Sequence, residues 1–316
     1  MLTSIQIRNF RLFNILNIGG LGRVNLIAGM NNSGKTALLE ALRIWAADGD
    51  NTVINATLKE RGEFTPSWIE SYESLFHPNA KNNALVINNL HIKRHVGSNK
   101  EIDNYFVFPT LKVENSPKKV LNPNDSPDFP REGCIFIPFA LLPFPLEQLW
   151  KKISLTPDED KVIEVVKQAE SRIMDIDVRF DGVRVRLTGY STPVSMGRLG
   201  DGIMQTLKIA IGLVSARNTA KRLLLIDEIE SGLHHSVQTL VWEKIFHYAA
   251  EWDVQVFATT HSRDAVRTFA EVAGRPENKE QGCYFRLERD DNGRIKAVVY
   301  DMQQLATSME YDLETR

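Results

Sequence analysis

Cysteine is nearly missing from this chain. Cys134 and Cys283 stand far apart, each beside apolar residues. That spacing suits neither a disulfide framework nor a Cys-based zinc site, and it reads as two buried free thiols in a reducing cytosol. Long apolar runs are missing too. The N-terminal Met1 to Arg8 alternates where a secretory signal would be continuously apolar. The most apolar later stretch, Cys134 to Trp150, is broken by Pro138, Pro143 and Pro145. No segment reads as secretory or membrane-spanning, so a cytoplasmic protein without a membrane partner is expected. The third absence is an excess of either charge. Lys and Arg number 38 against 40 Asp and Glu, a formal charge of −2. No global field draws such a chain to nucleic acid or to an acidic membrane, and any DNA contact would be local. What remains, 316 residues at 43% hydrophobic and 25% charged, is enough to bury a sizeable core in one large domain or two small ones.

Periodicity orders the chain into strands and helices. Ile5, Ile7 and Phe10 alternate with polar residues as a half-buried strand, and Ile15 to Ile18 returns beside it as a hairpin. Val24 to Ala28 is a short buried strand that meets a tight turn at Gly29. From Thr36 to Ala47, Leu38, Leu42 and Trp45 recur at helical spacing, with Gly49 near the stop. Residues 50 to 145 are weakly patterned, with a proline-rich loop from Asn115 to Arg131. Pro157 to Ser171 returns to helix, with acids in the first turn where the helix dipole favours them. Val178 to Leu187 alternates about an Asp181-Gly182 turn, and a helix starts just after Gly200-Asp201-Gly202. Leu223 to Ile226 and Val254 to Ala258 are buried strands flanking a helix from Ser236 to Ala250. A hairpin, Cys283 to Tyr300, turns at Asp291-Asn292-Gly293. Buried strands alternating with helices predict an α/β fold, a mixed sheet with flanking helices and N-terminal antiparallel strands. The expected core comprises residues 1–50 and 175–316, with 51–174 as an inserted lobe.

Two segments carry phosphate chemistry. Gly29-Met30-Asn31-Asn32-Ser33-Gly34-Lys35-Thr36 satisfies G-x-x-x-x-G-K-[ST], with the required apolar strand before it and amphipathic helix after it. In such a P-loop the backbone N–H groups around Asn31, Asn32, Ser33 and Gly34 turn inward on phosphates, and the helix N-terminus adds its dipole. Lys35 is placed to reach the β- and γ-phosphates of ATP, and the Thr36 hydroxyl to ligate Mg²⁺. Leu223 to Ile226 delivers Asp227 and Glu228 at its C-terminal end, where ligands bind in open α/β sheets. Asp227 suits the magnesium shell, and Glu228 suits polarising a water for attack on the γ-phosphate.

These segments resemble the ABC-type ATPases of the group that contains RecF, the SMC proteins and the OLD-family ATPases. Asp227-Glu228 followed by Ile229-Glu230-Ser231-Gly232-Leu233-His234-His235-Ser236 is similar to that group's Walker B and D-loop. Thr259-Thr260-His261-Ser262 resembles its switch-histidine segment, which implies that His261 senses the γ-phosphate. Gly29-x-Asn31 and the opening Ile7-Arg8-Asn9-Phe10-Arg11 are also similar, and Arg11 is carried over as a nucleotide contact. The resemblance is closest to small OLD-like ATPases and covers both ends of the chain better than residues 50 to 145. It implies P-loop NTPase architecture of the ABC type and a head-to-tail homodimer in which each ATP is also gripped by the partner's signature motif. Leu199-Gly200-Asp201-Gly202-Ile203 is the candidate signature. The wider class has serine in place of Gly200 and glycine in place of Asp201, so the contact would rest on backbone N–H groups near Gly202; Asp201 as a helix cap is the alternative.

Other features narrow the function. Walker A and B are separated by fewer than two hundred proline-broken residues without heptad patterning, which excludes a long coiled coil. Residues 262–316 are too few for an appended TOPRIM nuclease, so a nuclease or TOPRIM-like protein is expected as a separately encoded partner. Asn99-Lys100 and Asn278-Lys279 lack the aspartate of a guanine-reading motif, which favours ATP. His234 and His235 have no accompanying metal-ligand set. Arg184 and Arg186, with Arg179 beside them, charge one strand face, either a solvated face or a local DNA contact. The expectation is an ATP-hydrolysing conformational switch. Its rivals are a P-loop phosphotransferase, a non-hydrolysing ATP sensor and a DNA-binding module.

Overall fold

The structure is a computed structural model and describes residues 1–64, 68–80, 84–94, 111–114, 133–139, 143–300 and 305. The chain opens with β1 (Ser4–Phe10), β2 (Phe13–Gly19) and β3 (Val24–Ala28), and α1 (Lys35–Ala46) leaves the P-loop. Next come α2 (Asn51–Glu60), α3 (Trp68–Glu73), β4 (Ala84–Ile87), β5 (Leu90–Arg94), β6 (Leu111–Glu114) and β7 (Ile135–Ile137). The middle holds α4 (Pro143–Ile153), α5 (Pro157–Ala169), β8 (Ile173–Arg179), β9 (Gly182–Leu187), β10 (Val194–Ser195) and α6 (Asp201–Ala216). It ends with β11 (Leu223–Ile226), α7 (His235–Glu251), β12 (Gln255–Thr259), α8 (Arg263–Ala273), β13 (Gly282–Arg289) and β14 (Ile295–Tyr300). The proline-rich stretch Asn115 to Arg131 and the pair Asn99-Lys100 lie outside the described residues.

A six-stranded sheet ordered β14-β13-β3-β12-β11-β7 forms the centre. All its pairs are parallel except β13 with β14, an antiparallel hairpin at one edge. Its turn follows the expected chemistry: Asp290 Oδ1 accepts from the Asn292 and Arg294 backbone N–H groups, at 3.0 and 2.8 Å. Every residue of β3, β11 and β12 is buried, because both faces of the sheet are covered. The pleat sends alternate side chains to two cores. Leu223, Leu225, Ile27 and Phe257 pack with α1 and the N-terminal strands. Leu224, Ile226, Leu26 and Ala258 pack with Trp242, Phe246 and Phe269 of α7 and α8.

A second, antiparallel sheet runs β2-β1-β4-β5-β6 and covers α1. The stretch 51–174, expected as an inserted lobe, thus gives three strands to this sheet and β7 to the central one. A third sheet, β10-β9-β8, packs with α4, α5 and α6 around Val165, Val183 and Leu207. Helix α6 serves two cores: Ile209 and Leu213 face the central sheet, while Leu207 and Val214 face the third. Helix α5 starts as its sequence dictates, with Thr156 accepting the Asp158 N–H at 3.3 Å, Pro157 in the first turn and three acids after it.

Cys283 lies on β13, buried against β3, and burial pushes its thiol up to about 11. A protonated, enclosed thiol is a poor nucleophile. At pH 8, native protein treated with iodoacetamide is expected to leave Cys283 unmodified while unfolded protein is alkylated there, as read by peptide mass spectrometry. Equal alkylation in both states would contradict the packing of β13 on β3.

Candidate active site

Three adjacent strands of the central sheet, β3, β12 and β11, deliver the P-loop, Asp227-Glu228 and His261 from the same edge. Sheet order explains this convergence, because β12 lies between the strand that feeds the P-loop and the strand that ends in Asp227. The C-terminal edge of parallel strands is where open α/β sheets bind ligands.

The buried Asp227 carboxylate accepts two hydroxyls there. Thr36 Oγ1, in the first turn of α1, is 3.0 Å from Oδ2, and Thr259 Oγ1, the last residue of β12, is 2.5 Å from Oδ1. The same Thr259 hydroxyl accepts the Glu228 N–H at 2.9 Å. Glu228 adopts φ +50°, an uncommon backbone for a residue with a side chain, and lines the same cleft as Asp227. Lys35 Nζ donates to the Gly29 and Met30 carbonyls at 2.7 and 3.0 Å. Burial pushes this ammonium below its ordinary pKa, and Asp227, Glu228 and Glu230 push it back up.

Asn31, Asn32, Gly34, Lys35, Thr36, Asp227 and Glu228 line one cleft of about 1170 Å³. Ser33 is buried within the loop. His261, half exposed, stands beside the cleft, with Nδ1 3.2 Å from Glu230 Oε1 and 3.8 Å from Glu228 Oε1. Arg11 also borders the cleft, but its guanidinium is engaged. Nε is 2.7 Å from Glu40 of α1, and Nη1 is 2.9 Å from Glu63. Arg61 makes a second ion pair to Glu40, at 2.5 Å. Burial raises the Glu40 pKa, while Arg11 and Arg61 lower it. Any contact between Arg11 and a nucleotide must therefore share this guanidinium with two carboxylates.

The Gly200-Asp201-Gly202 segment stands apart, outside the residues that line the cleft. Helix α6 begins at Asp201, earlier than expected, with Gly200 in the cap position, so Asp201 is a first-turn residue and not the helix cap of the alternative reading. As a first-turn acid it still sits well in the helix dipole. The segment packs against the D-loop of its own chain: a Cβ on Gly232, at φ +71°, would sit 2.7 Å from the Asp201 Cβ.

Sequence reading did not single out Glu40, Arg61, Glu63, Thr259, Glu230 or Arg289. Thr259 and Glu230 lie inside the motifs themselves, whereas Arg61 and Glu63 gain a role only because α2 folds back along α1. Arg289, at the end of β13, donates to the Asn32 carbonyl at 3.3 Å and borders the cleft. No local pattern marks it. The charged face on β8 and β9 is internally paired, Arg179 with Asp177, Arg184 with Asp181 and Arg186 with Asp175, which favours the solvated reading over DNA. Among the described residues no group of three or more His, Cys, Asp and Glu is arranged to hold a metal.

Residues 78–266, more than half of the chain, match the AAA_21 family model, described as "AAA domain, putative AbiEii toxin, Type IV TA system". The chain belongs to the AAA_21 family. It is an ATPase domain, as the resemblance in sequence implied, and the matched stretch includes Asp227, Glu228 and His261. A Helicobacter pylori protein named ATP/GTP phosphatase is 22% identical over 357 aligned positions, which cover 95% of this chain and 96% of that protein. A Pyrococcus furiosus Smc head domain, solved with an extended coiled coil and bound to the C-terminal domain of ScpA, superposes with a TM-score of 0.59. That match is 11% identical and covers 98% of both chains. A second SmcHead structure, bound to the C-winged helix domain of ScpA, gives 0.58 at 11% identity over 96% of this chain and 99% of that one. At such identity these structures establish the fold, an SMC-head type of P-loop domain. Among the described residues, no helix of this AAA_21 protein is long and apolar enough to cross a membrane.

The P-loop conformation depends on Gly34, which sits at φ +99° with room for no side chain: a Cβ would lie 2.8 Å from the Phe13 ring. Gly34→Ala is expected to lower unfolding stability by about 1–3 kcal/mol and to abolish fluorescent-nucleotide binding. Unchanged unfolding and unchanged binding would contradict the described loop.

Proposed function

We propose that this AAA_21 domain binds ATP in the 1170 Å³ cleft and hydrolyses it, and that the hydrolysis cycle switches the state of a separately encoded partner. The observation that carries the proposal is the single carboxylate, Asp227, held by Thr36 of the P-loop helix and Thr259 of β12, with Glu228 opening into the same cleft as Lys35. Asn31, Asn32, Ser33 and Gly34 supply backbone N–H groups to the phosphates, and Lys35 exchanges its two loop carbonyls for β- and γ-phosphate oxygens.

The donor set fits a magnesium ion, because Thr36 and Asp227 bring hard oxygens within 3.0 Å of each other and Mg²⁺ sites of this class rely on few protein ligands. Bound there, Mg²⁺ would neutralise charge on the β- and γ-phosphates. Glu228 accepts a proton from the attacking water as its oxygen bonds to the γ-phosphorus and the bond to the β,γ-bridging oxygen breaks, releasing ADP and phosphate. His261 meets the γ-phosphate. Arg11 steadies α1 and the β1–β2 turn through Glu40 and contributes its charge to the cleft.

A head-to-tail homodimer is part of the reading, with Gly200-Asp201-Gly202 offering the N-terminus of α6 to the partner's nucleotide. The two Smc heads bound to ScpA domains support a fold that passes its state to another protein. The toxin–antitoxin wording of the family description supports a place in defence, with a nuclease or TOPRIM-like protein as partner. The Helicobacter pylori relative's name covers both ATP and GTP, so both nucleotides belong in the assay.

Glu228→Gln is expected to lower ATP turnover by about 100-fold or more, to leave ATP affinity within a few-fold and to trap a dimer in sedimentation. Lys35→Ala is expected to lose both binding and the dimer. Turnover within about threefold of wild type in Glu228→Gln, or γ-phosphate passing to an acceptor other than water, would overturn the proposal.

A further inference from the structure

Glu230 does no chemistry in the reading above, yet its carboxylate is nine-tenths buried two residues beyond Glu228. One of its oxygens, Oε1, gathers three contacts from the turn that follows β12. It accepts the backbone N–H of His261 at 3.0 Å and of Ser262 at 3.1 Å, and it stands 3.2 Å from His261 Nδ1. The other oxygen, Oε2, is buried without a hydrogen-bond partner. A buried carboxylate with an unsatisfied oxygen is costly to keep, and a turn needing only its N–H groups covered could be served by a neutral acceptor. The ring nitrogen is what a carboxylate adds something for. A carboxylate facing one imidazole nitrogen holds the proton on that nitrogen, fixes the ring plane and presents the opposite nitrogen to whatever the histidine serves.

We infer that Glu230 is a positioning residue: it fixes His261 as the Nδ1–H tautomer and so commits Nε2 to the γ-phosphate. The inference rests on the proposed role of His261 but concerns a different residue and a property readable without turnover. Glu228 Oε1 lies 3.8 Å from Nδ1, beyond hydrogen-bond length, so Glu230 Oε1, at 3.2 Å, is the nearer carboxylate oxygen to the ring. The chain thereby separates two tasks between carboxylates two residues apart. The sharp backbone turn at Glu228 makes this possible, since it sends Glu228 into the cleft and Glu230 back under the β12 turn.

The experiment is ¹⁵N-histidine NMR of the full chain at about pH 9, well above the ordinary histidine range, with His261 assigned by the signal lost in His261→Gln. Wild type is expected to show His261 with the protonated, pyrrole-type shift at Nδ1 and the pyridine-type shift at Nε2. Glu230→Gln, a neutral acceptor that still covers the two turn N–H groups, is expected to lose much of that preference, and Glu230→Ala to revert to the Nε2–H form that an unrestrained imidazole favours. In kinetics, Glu230→Ala is expected to lower kcat about 10-fold with KM for ATP within about threefold, and to add less than about twofold in a His261→Ala background. A wild-type His261 in the Nε2–H form overturns the inference with no variant needed. A tautomer indifferent to Glu230→Ala, or kinetic effects of the two alanines that multiply in full, would also overturn it. Wild type that turns over no ATP would refute the proposed hydrolysis, and the tautomer measurement would still decide the role of Glu230.

Discussion

The two hydroxyls held by Asp227 tie together parts of the chain nearly two hundred residues apart in sequence. Thr36 belongs to the helix that leaves β3, Thr259 ends β12, and Asp227 itself follows β11, so a single carboxylate locks the ends of three neighbouring strands. The positions of the rest follow from that lock. Thr259 fixes the Glu228 N–H, the uncommon φ at Glu228 throws its side chain into the cleft, and the turn after Thr259 carries His261 alongside. A buried carboxylate needs such donors, because an unpaired one would be strongly disfavoured away from water.

The chemistry of this lock was largely written in the sequence, since the P-loop, the Asp227-Glu228 strand end and the Thr259 to Ser262 turn are each short and contiguous. Buried parallel strands show as unbroken apolar runs, so β3, β11 and β12 were legible within a residue or two. Less legible was what depends on distant segments meeting. The strands β4 to β7 are three to five residues long and lie among polar and proline-rich stretches, too short to show a period. Their pairing with β1 and β11 is a property of the sheets. Arg11 shows the same limit. The family resemblance marked it as a nucleotide contact, and the fold surrounds it with Glu40 and Glu63, partners contributed by α1 and by the residues after α2.

That ion-pair group has a physical role of its own. Arg11 and Glu40 are both almost fully buried, and breaking such a pair is far costlier than its net contribution to stability suggests, because the survivor keeps an uncompensated charge. The group clamps the β1–β2 turn against α1, the helix whose first two residues, Lys35 and Thr36, close the P-loop. Rigid support on this side contrasts with the Gly200-Asp201-Gly202 segment, which touches its own D-loop through close backbone packing at Gly232. The nucleotide cleft is thus braced by charge within the chain, while the Gly200-Asp201-Gly202 segment is joined to its surroundings by close packing at Gly232 and by hydrogen bonds of its own helix, among them Thr206 Oγ1 to the Gly202 carbonyl at 2.9 Å.

In the proposed cycle, Asp227 organises a magnesium-dependent ATP-hydrolysing site. Steady-state ATP turnover of wild type and Asp227→Asn, titrated from excess chelator to millimolar Mg²⁺, tests it most directly. Turnover that vanishes with chelator in wild type, and falls by about 100-fold or more at saturating Mg²⁺ in the variant, is the predicted result. Turnover indifferent to chelator, or an asparagine variant within about threefold of wild type, would contradict it.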